Sequence, residues 1–399
     1  MPEKVRIGLI GAGFVGNIHA RALGRITDLD VEIAAVAAVP LGQAEELAQR
    51  YGVAQAYDDH RRVLDQDDIN LVILAVPNYL HEPFTLDAAA AGKHIVCEKP
   101  LTGYFGGPGA AEPVGATPKA LMLKESLRSA DRMIETANRF GVKLMYAENW
   151  LYSPAVQKAL RLAEASGGTI LEVRAQEAHS GSHAGYAKSW RLAGGGAVVR
   201  LAPHPIGTAV YFKEQEGLRR HGRPITVASV TAEAGDLSKL PDLQAESERW
   251  LVDDWHDVEN WCTLIMTFTD GSRALIQASD IILGGMEDTL QVFLSNARID
   301  CDMGHSGMVR AYAPSDGVFA DEYIMEKIST KAGWSYPSID EEWLLGYPQE
   351  VRDFVEAVAY AQEPLSGALL GRTVTEVMYA AYLSAEEGRR VDLVESSES

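Results

Sequence analysis

The chain has 399 residues, 47% of them hydrophobic and 23% charged, so it can bury a large core and is long enough for two domains. Its formal net charge is −20, an acidic balance that disfavours nucleic acid and anionic membranes as partners. Cys97, Cys262 and Cys301 are odd in number and widely spaced, so they predict neither a disulfide framework nor a metal site. There is no signal-peptide layout and no apolar run of membrane-spanning length, so we expect a cytoplasmic protein.

A glycine-rich turn near the start of the chain joins a predicted strand to a predicted helix. The apolar run 5–10 predicts the strand, G-x-G-x-x-G follows at once, and helix-like sequence continues to Leu23. In this context the motif predicts dinucleotide binding: the first glycine allows a tight turn, the second lets a pyrophosphate approach, and the third lets helix and strand pack closely. The N–H groups of the helix N-terminus then bind the phosphates. The expected cofactor-binding residues of this turn are Gly11, Gly13, Phe14, Val15 and Gly16.

The end of the second predicted strand, residues 31–39, leaves open whether the cofactor is NAD or NADP. NAD sites usually place an acidic residue at the carboxyl end of this strand to bind the ribose 2′-hydroxyl. Here Ala38 lies near that end, no acid follows it, and no arginine or lysine follows to hold a 2′-phosphate. Asp28, Asp30 and Glu32 lie at the opposite end. We expect Ala38 to adjoin the cofactor, which we take as NAD with NADP possible.

Two further strands complete the dinucleotide-binding part. The apolar run 71–76 predicts a parallel strand buried on both faces, and Pro77-Asn78 and His81 follow it. The next strand, 95–97, leads into Glu98-Lys99-Pro100. Ligands of doubly wound sheets bind at the carboxyl ends of the strands, so this position predicts that Lys99 faces a ligand cleft. A surface ion pair at the strand end is the alternative.

Residues 103–120 interrupt the alternation of strands and helices. They are rich in glycine and proline, and a run of that length without regular structure is usually functional or mobile. Because the run follows Lys99 so closely, one interpretation is a lid or an intersubunit arm; the other is a mobile surface insertion. A helix over 121–139 and a strand over 142–146 close the first domain, predicted as a doubly wound parallel sheet over residues 1–148.

Residues 149–399 show a different pattern. Several predicted strands alternate apolar and polar residues, and Thr269-Asp270-Gly271-Ser272 between two of them predicts a hairpin. The predicted strands cover 172–176, 227–233, 261–268, 273–279, 290–294, 297–301 and 308–312, and the predicted helices cover 154–165, 348–361 and 374–387. We therefore expect an α/β protein whose second part is an α+β domain with a large open, mostly antiparallel sheet.

A polar cluster follows the first of these strands. His179 and His183 are four residues apart, but Gly181 and two serines between them disfavour a helix and no third ligand is evident, so we expect no metal. A hydrogen-bonding rim for a polyhydroxylated ligand and a solvated loop are the other interpretations. Further candidates for contact with substrate are Asn149, Tyr152, Lys188 and Trp190.

These residues together resemble the Gfo/Idh/MocA family of NAD(P)-dependent oxidoreductases, and the resemblance spans nearly the whole chain. The block Gly92-Lys93-His94-Ile95-Val96-Cys97-Glu98-Lys99-Pro100 is its most specific part. The other matching segments are Gly11 to Gly16, Pro77-Asn78 with His81, Trp190-Arg191, Gly194-Gly195-Gly196 with His204, and Leu383 to Val391.

The resemblance implies a fold and a set of roles. A Rossmann domain would precede an α+β domain whose outer sheet face forms dimer or tetramer contacts. Lys99 would lie beside nicotinamide and the substrate hydroxyl, and Glu98 would contact the cofactor ribose. The implied substrates are sugars and cyclic polyols. The remaining positions expected at the cofactor are Val76, Pro77, Asn78, His81 and Arg191.

The chain departs from the family pattern at Arg200. In the family an Asp and a His lie four residues apart on one helix face and point at the substrate; here Arg200 and His204 hold those places. Pro203 and Pro205 flank His204 and are expected to kink the segment. Arg200 either forms a structural ion pair or binds an anionic group of the substrate in bidentate fashion.

We therefore expect a dehydrogenase that transfers a hydride between a secondary alcohol of a sugar, sugar acid, glycoside or cyclic polyol and nicotinamide. Lys99 is the first candidate for the proton acceptor, and His204 is the second. Two alternatives remain: a glycoside-cleaving enzyme that uses tightly bound NAD for transient oxidation and elimination, and a non-catalytic NAD-binding regulator. An intact Glu98-Lys99 pair argues against the second alternative.

Overall fold

The computed structural model describes residues 3–107, 109–304 and 307–393. Pro108, in the glycine- and proline-rich run, lies outside the described residues. The first strands are β1 (Val5–Ile10), β2 (Val31–Ala37), β3 (Gln55–Tyr57), β4 (Leu71–Leu74), β5 (His94–Cys97) and β6 (Leu144–Tyr146). The first helices are α1 (Phe14–Leu23), α2 (Leu41–Tyr51), α3 (Arg61–Leu64), α4 (His81–Ala90) and α5 (Lys119–Phe140).

The six strands form one parallel sheet in the order β3-β2-β1-β4-β5-β6. Its centre is apolar on both faces: Val5, Ile7 and Leu9 of β1 are fully buried, as is nearly all of β4. Burial of each such side chain stabilises the fold by roughly 1.5–3 kcal/mol. The expected doubly wound parallel sheet is confirmed. β4 is the continuous apolar strand that the run 71–76 predicted.

The later strands are β7 (Ile170–Ala178), β8 (Val227–Gly235), β9 (Trp261–Phe268), β10 (Arg273–Ser279), β11 (Glu287–Leu294), β12 (Arg298–Asp302), β13 (Ala311–Ala313), β14 (Gly333–Ser335) and β15 (Val391–Asp392). The later helices are α6 (Pro154–Ser166), α7 (Trp190–Ala193), α8 (Ala197–Arg200), α9 (Pro203–His221), α10 (Pro241–Ala245), α11 (Glu341–Leu345), α12 (Tyr347–Ala359) and α13 (Ala368–Glu387). Seven strands form a mixed sheet in the order β12-β11-β7-β10-β9-β8-β15, in which only β7 and β10 pair in parallel.

The predicted hairpin joins β9 to β10. The backbone N–H of Phe268 donates to the Ser272 carbonyl over 3.0 Å, and Gly271 has a φ of +89°, a value that favours glycine. The prediction of a strand over 308–312 in the main sheet is wrong: the strand there is β13, and it pairs with β14 in a separate two-stranded sheet. Its apolar residues are too few to fix a register from sequence alone.

The chain divides into two compact units, neither of which is a single stretch of sequence. The first unit contains the residues up to Gly103, then Glu125–Tyr152 and Gly346–Thr375. The second contains Tyr104–Lys124, Ser153–Leu345 and the residues from Glu376 onward. The first unit therefore holds the parallel sheet together with α12, which packs against α1, and the second holds the mixed sheet.

Candidate active site

The glycine turn after β1 has the geometry that its motif predicts. Gly11 has a φ of +109°, and a Cβ added there would lie 2.0 Å from the Ala75 carbonyl oxygen. A Cβ on Gly16 would lie 2.2 Å from the carbonyl oxygen of Gly11. A Cβ on Gly13, in contrast, would meet no atom within 4 Å. The first and third glycines are thus required for packing, and open space lies beside the second.

That open space adjoins the N-terminus of α1. Gly13 is the N-cap of this helix and no side chain caps it. Phe14 is exposed and Val15 half-buried. Uncapped N–H groups and the helix dipole favour an anion at this position. The residues present therefore fit the pyrophosphate of a dinucleotide, which the backbone of residues 11–16 would hold.

The sheet order places the same turn at a topological switch point. Strand order runs outward from β1 through β2 in one direction and through β4 in the other, and doubly wound sheets bind ligands where the order reverses. Val76 and Pro77 follow β4 beside this point, and Asn78 is buried next to them. These three residues, which were expected at the cofactor, thus closely follow β4, the strand next to β1.

His81 is fully buried in the same unit. Its Nδ1 lies 2.8 Å from the Pro100 carbonyl oxygen and its Nε2 lies 3.0 Å from the Val76 carbonyl oxygen. Burial lowers the pKa of His81, against the raising effect of these two carbonyls. His81 therefore ties the loop after β4 to the segment after β5. This contact gives the ring a positioning role, whereas a direct contact with the cofactor remains a prediction.

Glu98 lies directly after β5 and is held by a histidine that belongs to none of the sequence motifs. His19, on α1 and fully buried, places its Nε2 2.7 Å from Oε1 of Glu98, and the backbone N–H of Lys99 donates to the other oxygen over 3.0 Å. Burial by itself would raise the pKa of Glu98, but the hydrogen bond and charge of His19, with the charge of Lys99, outweigh it, so the pKa is lowered. Glu98 is therefore a fixed carboxylate.

Lys99 follows at the carboxyl end of the same strand. Its peptide bond to Pro100 is cis, and its side chain is half-buried. The Lys99 charge acts on Glu98 and also on Glu148, which is fully buried just past β6. No sequence motif contains Glu148, although this residue lies two positions past β6, as Lys99 does past β5. Lys99 thus lies among carboxyl groups of the first unit.

The end of β2 contains no group that would select between cofactors. The strand ends at Ala37, and the N–H of Ala38 donates to the Tyr57 carbonyl over 3.0 Å. The acids at the other end are engaged elsewhere: Lys4 pairs with Asp30 and Glu32, and Arg352 holds Asp28. No acidic residue is therefore placed for a ribose 2′-hydroxyl by this strand.

In the second unit, Arg200 forms an ion pair with Asp280, whose side chain is fully buried. The guanidinium carbon lies 4.9 Å from the centroid of the Trp255 ring. His179 lies near the same carboxylate, with its Nδ1 3.5 Å from Asp280 Oδ1, and this Nδ1 accepts the Gly181 backbone N–H over 2.9 Å. The structural ion pair that the sequence left open for Arg200 is thus present, and it gives no support to an anionic substrate.

Arg200 and His204 lie on different helices. α8 ends at Arg200, and α9 begins at Pro203, so the prolines start a new helix rather than kinking an existing one. The first-turn N–H groups of a helix have no intrahelical acceptor, which is why Pro203 and Pro205 are tolerated there. His204 is buried in the first turn of α9. The prediction of a kinked segment is thus wrong in its form: the structure has a break between two helices, because the prolines occupy the first turn of α9.

The triple glycine packs under the start of α8. The backbone N–H groups of Gly196 and Val198 donate to the Glu259 carboxylate over 3.1 and 2.9 Å, and the Tyr382 hydroxyl donates to it over 2.8 Å. A Cβ on Gly196 would lie 1.7 Å from the Glu259 carbonyl oxygen. This helix N-terminus is thus occupied by a carboxylate of the chain itself.

Several other predicted substrate residues are committed to contacts within their own units. Tyr152 is buried, and its hydroxyl donates to Asp353 over 2.8 Å; Asn149 is buried beside it. Lys188 is buried and pairs with the exposed Asp254, whose pKa the Lys188 hydrogen bond lowers. His183, in contrast, is exposed. A role in binding substrate remains a prediction for these four residues.

Trp190 and Arg191 contact the glycine- and proline-rich run. The indole N–H of Trp190 donates to the Tyr104 carbonyl over 3.0 Å, and Arg191 pairs with Glu112 over 2.6 Å. The N–H of Gly115 donates to Asp257 over 3.0 Å. The described residues of the run from Tyr104 onward therefore belong to the second unit and pack within it, and Trp190 is part of that packing. These contacts do not test the expected contact of Arg191 with the cofactor.

Within the described ranges, no cluster of three or more His, Cys, Asp or Glu side chains could hold a metal ion. In the same ranges no helix is both long and apolar enough to cross a membrane.

The parallel sheet, its glycine turn and the switch point define the class: a dinucleotide-binding Rossmann protein. Residues 5–107 match the family model described as "Oxidoreductase family, NAD-binding Rossmann fold", and residues 157–300 match the "GFO/IDH/MocA C-terminal domain". The chain belongs to the Gfo/Idh/MocA family and is an oxidoreductase with an NAD-binding domain.

Individual relatives cover different shares of the chain. It is 32% identical to levoglucosan dehydrogenase of Pseudarthrobacter phenanthrenivorans over 53% of this chain and 51% of that protein, about half of each. It is 23% identical to myo-inositol 2-dehydrogenase of Thermotoga maritima over 98% of this chain and 99% of that one. The crystal structure of GenD2 from gentamicin A biosynthesis, in complex with NAD, has a TM-score of 0.79 and 25% identity over 99% of this chain and 97% of that one.

Proposed function

We propose that this protein oxidises a secondary hydroxyl of a sugar or cyclic polyol to a ketone, or catalyses the reverse reaction, with NAD as its cofactor. The observation that carries the proposal is the position of Lys99, half-buried at the carboxyl end of β5 and directly after a carboxylate fixed by His19. The names of the relatives, which are dehydrogenases of levoglucosan and of myo-inositol, support the substrate class.

The proposed roles of the residues follow from their places. Bound NAD supplies the hydride acceptor. The backbone of residues 11–16 would hold its pyrophosphate, and Glu98 would contact its ribose. Lys99 takes the proton of the substrate hydroxyl as the C–H bond breaks, a contribution of about 10²–10⁴-fold for a positioned base. His204 remains the second candidate for this proton. No residue at the end of β2 argues for NAD over NADP, so both belong in the test.

The test is a screen of neutral and acidic sugars, cyclic polyols and their glycosides with NAD⁺ and with NADP⁺, read by absorbance of the reduced cofactor. We expect stoichiometric formation of reduced cofactor with at least one polyol. Product formed without net reduction of the cofactor would instead identify the glycoside-cleaving alternative. Absence of turnover with every compound, by a protein that binds NADH, would overturn the proposal.

We also infer a homodimer or homotetramer formed through the mixed sheet. Leu171 on β7 and Ile265 on β9 are large apolar residues exposed on strands of this sheet, and an interface formed through the sheet would remove them from water. Light scattering on the purified protein is expected to give two or four chain masses. Replacing both residues with lysine is then expected to reduce the assembly to monomers, and a monomeric parent protein would contradict the inference.

A further inference from the structure

The ends of β5 and β6 lie side by side in the first unit. Cys97 pairs with Tyr146 in parallel register, and the backbone N–H of Ala147 donates to the Cys97 carbonyl over 2.9 Å. Glu148 follows β6 at the same offset as Lys99 follows β5, two residues past this last pair of the neighbouring strands, which lie about 4.8 Å apart in the backbone. The charge of Lys99 acts on Glu148. Lys99 and Glu148 therefore lie next to each other at the same edge of the sheet.

The surroundings of Glu148 favour the protonated form of its side chain. Its side chain is fully buried, and burial raises its pKa to about 8, with Lys99 lowering it, Glu98 raising it and the Trp150 backbone N–H lowering it. Glu350 on α12 is also fully buried, and burial raises its pKa well above the usual value, with Glu98 and Glu148 adding to the rise. The titratable groups facing Glu148 are therefore Glu98 and Lys99 after β5, Tyr146 on β6 and Glu350 on α12, and Cys97 acts on Tyr146.

We propose that Glu148 receives the proton that Lys99 takes from the substrate, a role that rests on the proposed function. In the oxidation, the O–H bond of the substrate hydroxyl breaks and an N–H bond forms on Lys99 Nζ. The C–H bond of the carbon that carries this hydroxyl breaks as well, and bound NAD would accept the hydride. The N–H bond then breaks and an O–H bond forms on the Glu148 carboxylate, so Lys99 is neutral again. Before the next turnover this O–H bond breaks in turn and the proton passes to water, which restores the Glu148 carboxylate. Glu148 touches no reacting atom and is a positioning residue that acts through Lys99.

The chemistry fixes the direction of the pH dependence. Oxidation requires Glu148 to be ionised, so its rate rises as the pH increases through about 8, whereas reduction requires the protonated form and falls over the same range. Lys99 must also be neutral to take the proton, so the rate of oxidation is expected to rise with pH even if Glu148 is purely structural and only accepts the Trp150 N–H. A limb that belongs to Glu148 is lost in Glu148→Gln, whereas a limb that belongs to Lys99 alone persists there. The pH profile of Glu148→Gln therefore separates the two roles.

The first experiment compares kcat for oxidation between pH 6 and pH 10 in the parent protein, Glu148→Gln and Glu148→Asp, using a substrate found in the screen. We expect Glu148→Gln to lose the limb near pH 8 and about tenfold to 100-fold of kcat. Glu148→Asp is expected to keep the limb. Glu350→Gln, which alters the same cluster but not the neighbour of Lys99, is expected to keep it as well. An unchanged limb in Glu148→Gln would overturn the proposal.

The second experiment needs no turnover. Infrared pH-difference spectra of the cofactor-free protein follow the carbonyl stretch of protonated carboxyl groups. We expect one buried carboxyl to titrate near pH 8, to be absent in Glu148→Gln and to titrate at higher pH in Lys99→Met, because Lys99 lowers the pKa of Glu148. If Glu148→Gln does not fold, the titration of this carboxyl in the parent protein can still be compared with that in Lys99→Met, which tests its coupling to Lys99. If this carboxyl titrates at the same pH in Lys99→Met as in the parent protein, Glu148 and Lys99 are not coupled.

The two proposals fail in different ways. A parent protein that oxidises no compound of the screen overturns the proposed function, and the role of Glu148 with it. An active parent whose pH limb survives in Glu148→Gln overturns the role of Glu148 alone.

Discussion

Nε2 of His19 lies 2.7 Å from Oε1 of Glu98, and the two side chains are almost completely buried. This contact joins the helix that follows the glycine turn to the strand end that carries Lys99. Replacing His19 with Ala leaves a buried carboxylate without its partner, so we expect a loss of about 3–5 kcal/mol in the free energy of unfolding. Urea denaturation measures it.

A matched control is Arg128→Ala, which removes an exposed ion pair with Glu125 and is expected to cost less than about 1 kcal/mol. Equal effects of the two substitutions would mean that burial of the His19–Glu98 contact contributes nothing.

The pH dependence of stability tests the same carboxylate. The pKa of Glu98 is lower in the folded protein than its ordinary value, so the folded state binds fewer protons than the unfolded state at acidic pH. Its stabilisation is therefore present above about pH 4.3 and is lost as the pH falls through the folded-state pKa. We expect Glu98→Gln to be less stable than the parent at pH 7, with the difference shrinking below about pH 4. A difference that is constant with pH would contradict the lowered pKa.

Lys99→Ala tests the proposed proton acceptor. We expect the variant to bind NADH with unchanged affinity, measured by fluorescence titration, and to lose about 10²–10⁴-fold of kcat. Lys4→Ala is the control, since Lys4 pairs with Asp30 and Glu32 at the opposite end of the sheet and is expected to leave kcat unchanged. A Lys99→Ala enzyme within tenfold of the parent rate would exclude the assignment.

The glycine turn offers a paired test of binding against folding. Gly13→Ala adds a methyl group where the structure has open space, so we expect normal stability but at least a tenfold, ~1.4 kcal/mol, loss of NADH affinity. Gly16→Ala places its methyl group against the Gly11 carbonyl, and we expect a loss of about 1–3 kcal/mol in stability. Thermal denaturation and NADH titration of both variants separate the effects. Unchanged affinity in Gly13→Ala would mean that the dinucleotide does not use this space.

The ion pair between Arg200 and Asp280 distinguishes a structural arginine from a substrate-binding one. Arg200→Met leaves Asp280 buried without its cation, and we expect a loss of about 3–5 kcal/mol. The double variant Arg200→Met/Asp280→Leu is expected to recover most of this loss, because it removes both charges. If Arg200 instead binds an anionic group, Arg200→Met raises KM for sugar acids far more than for neutral sugars. Equal changes in KM for the two classes would exclude that role.

The parallel sheet could be predicted because its signals are local: an apolar run, a glycine turn and a helix each occupy consecutive residues. The hairpin at Gly271 was predictable for the same reason. The most specific motif, around residue 95, contains both structural and candidate catalytic residues. Lys93 is buried and donates to the Gln66 carbonyl over 2.7 Å, and His94 accepts the Lys143 N–H over 3.0 Å, so both support the strand that ends at Lys99.

The contacts that sequence could not provide join residues far apart in the chain. His19 and Glu98 are 79 positions apart, and Arg200 and Asp280 are 80 apart, so no periodicity links them. Glu148 had a weaker signal, its place just beyond a buried strand, but its neighbour on the next strand became known only with the register. Which carboxylate pairs with which cation depends on packing, and a single sequence contains many equivalent choices.

The division of the chain has a consequence for any attempt to separate its parts. The backbone leaves the first unit after Gly103, returns at Glu125, leaves again after Tyr152 and returns once more at Gly346. A fragment ending near residue 150 would therefore lack α12 and expose the side of α1 that this helix covers. Neither unit can be obtained by one cut, and a stop codon anywhere between residues 153 and 345 removes residues from both units.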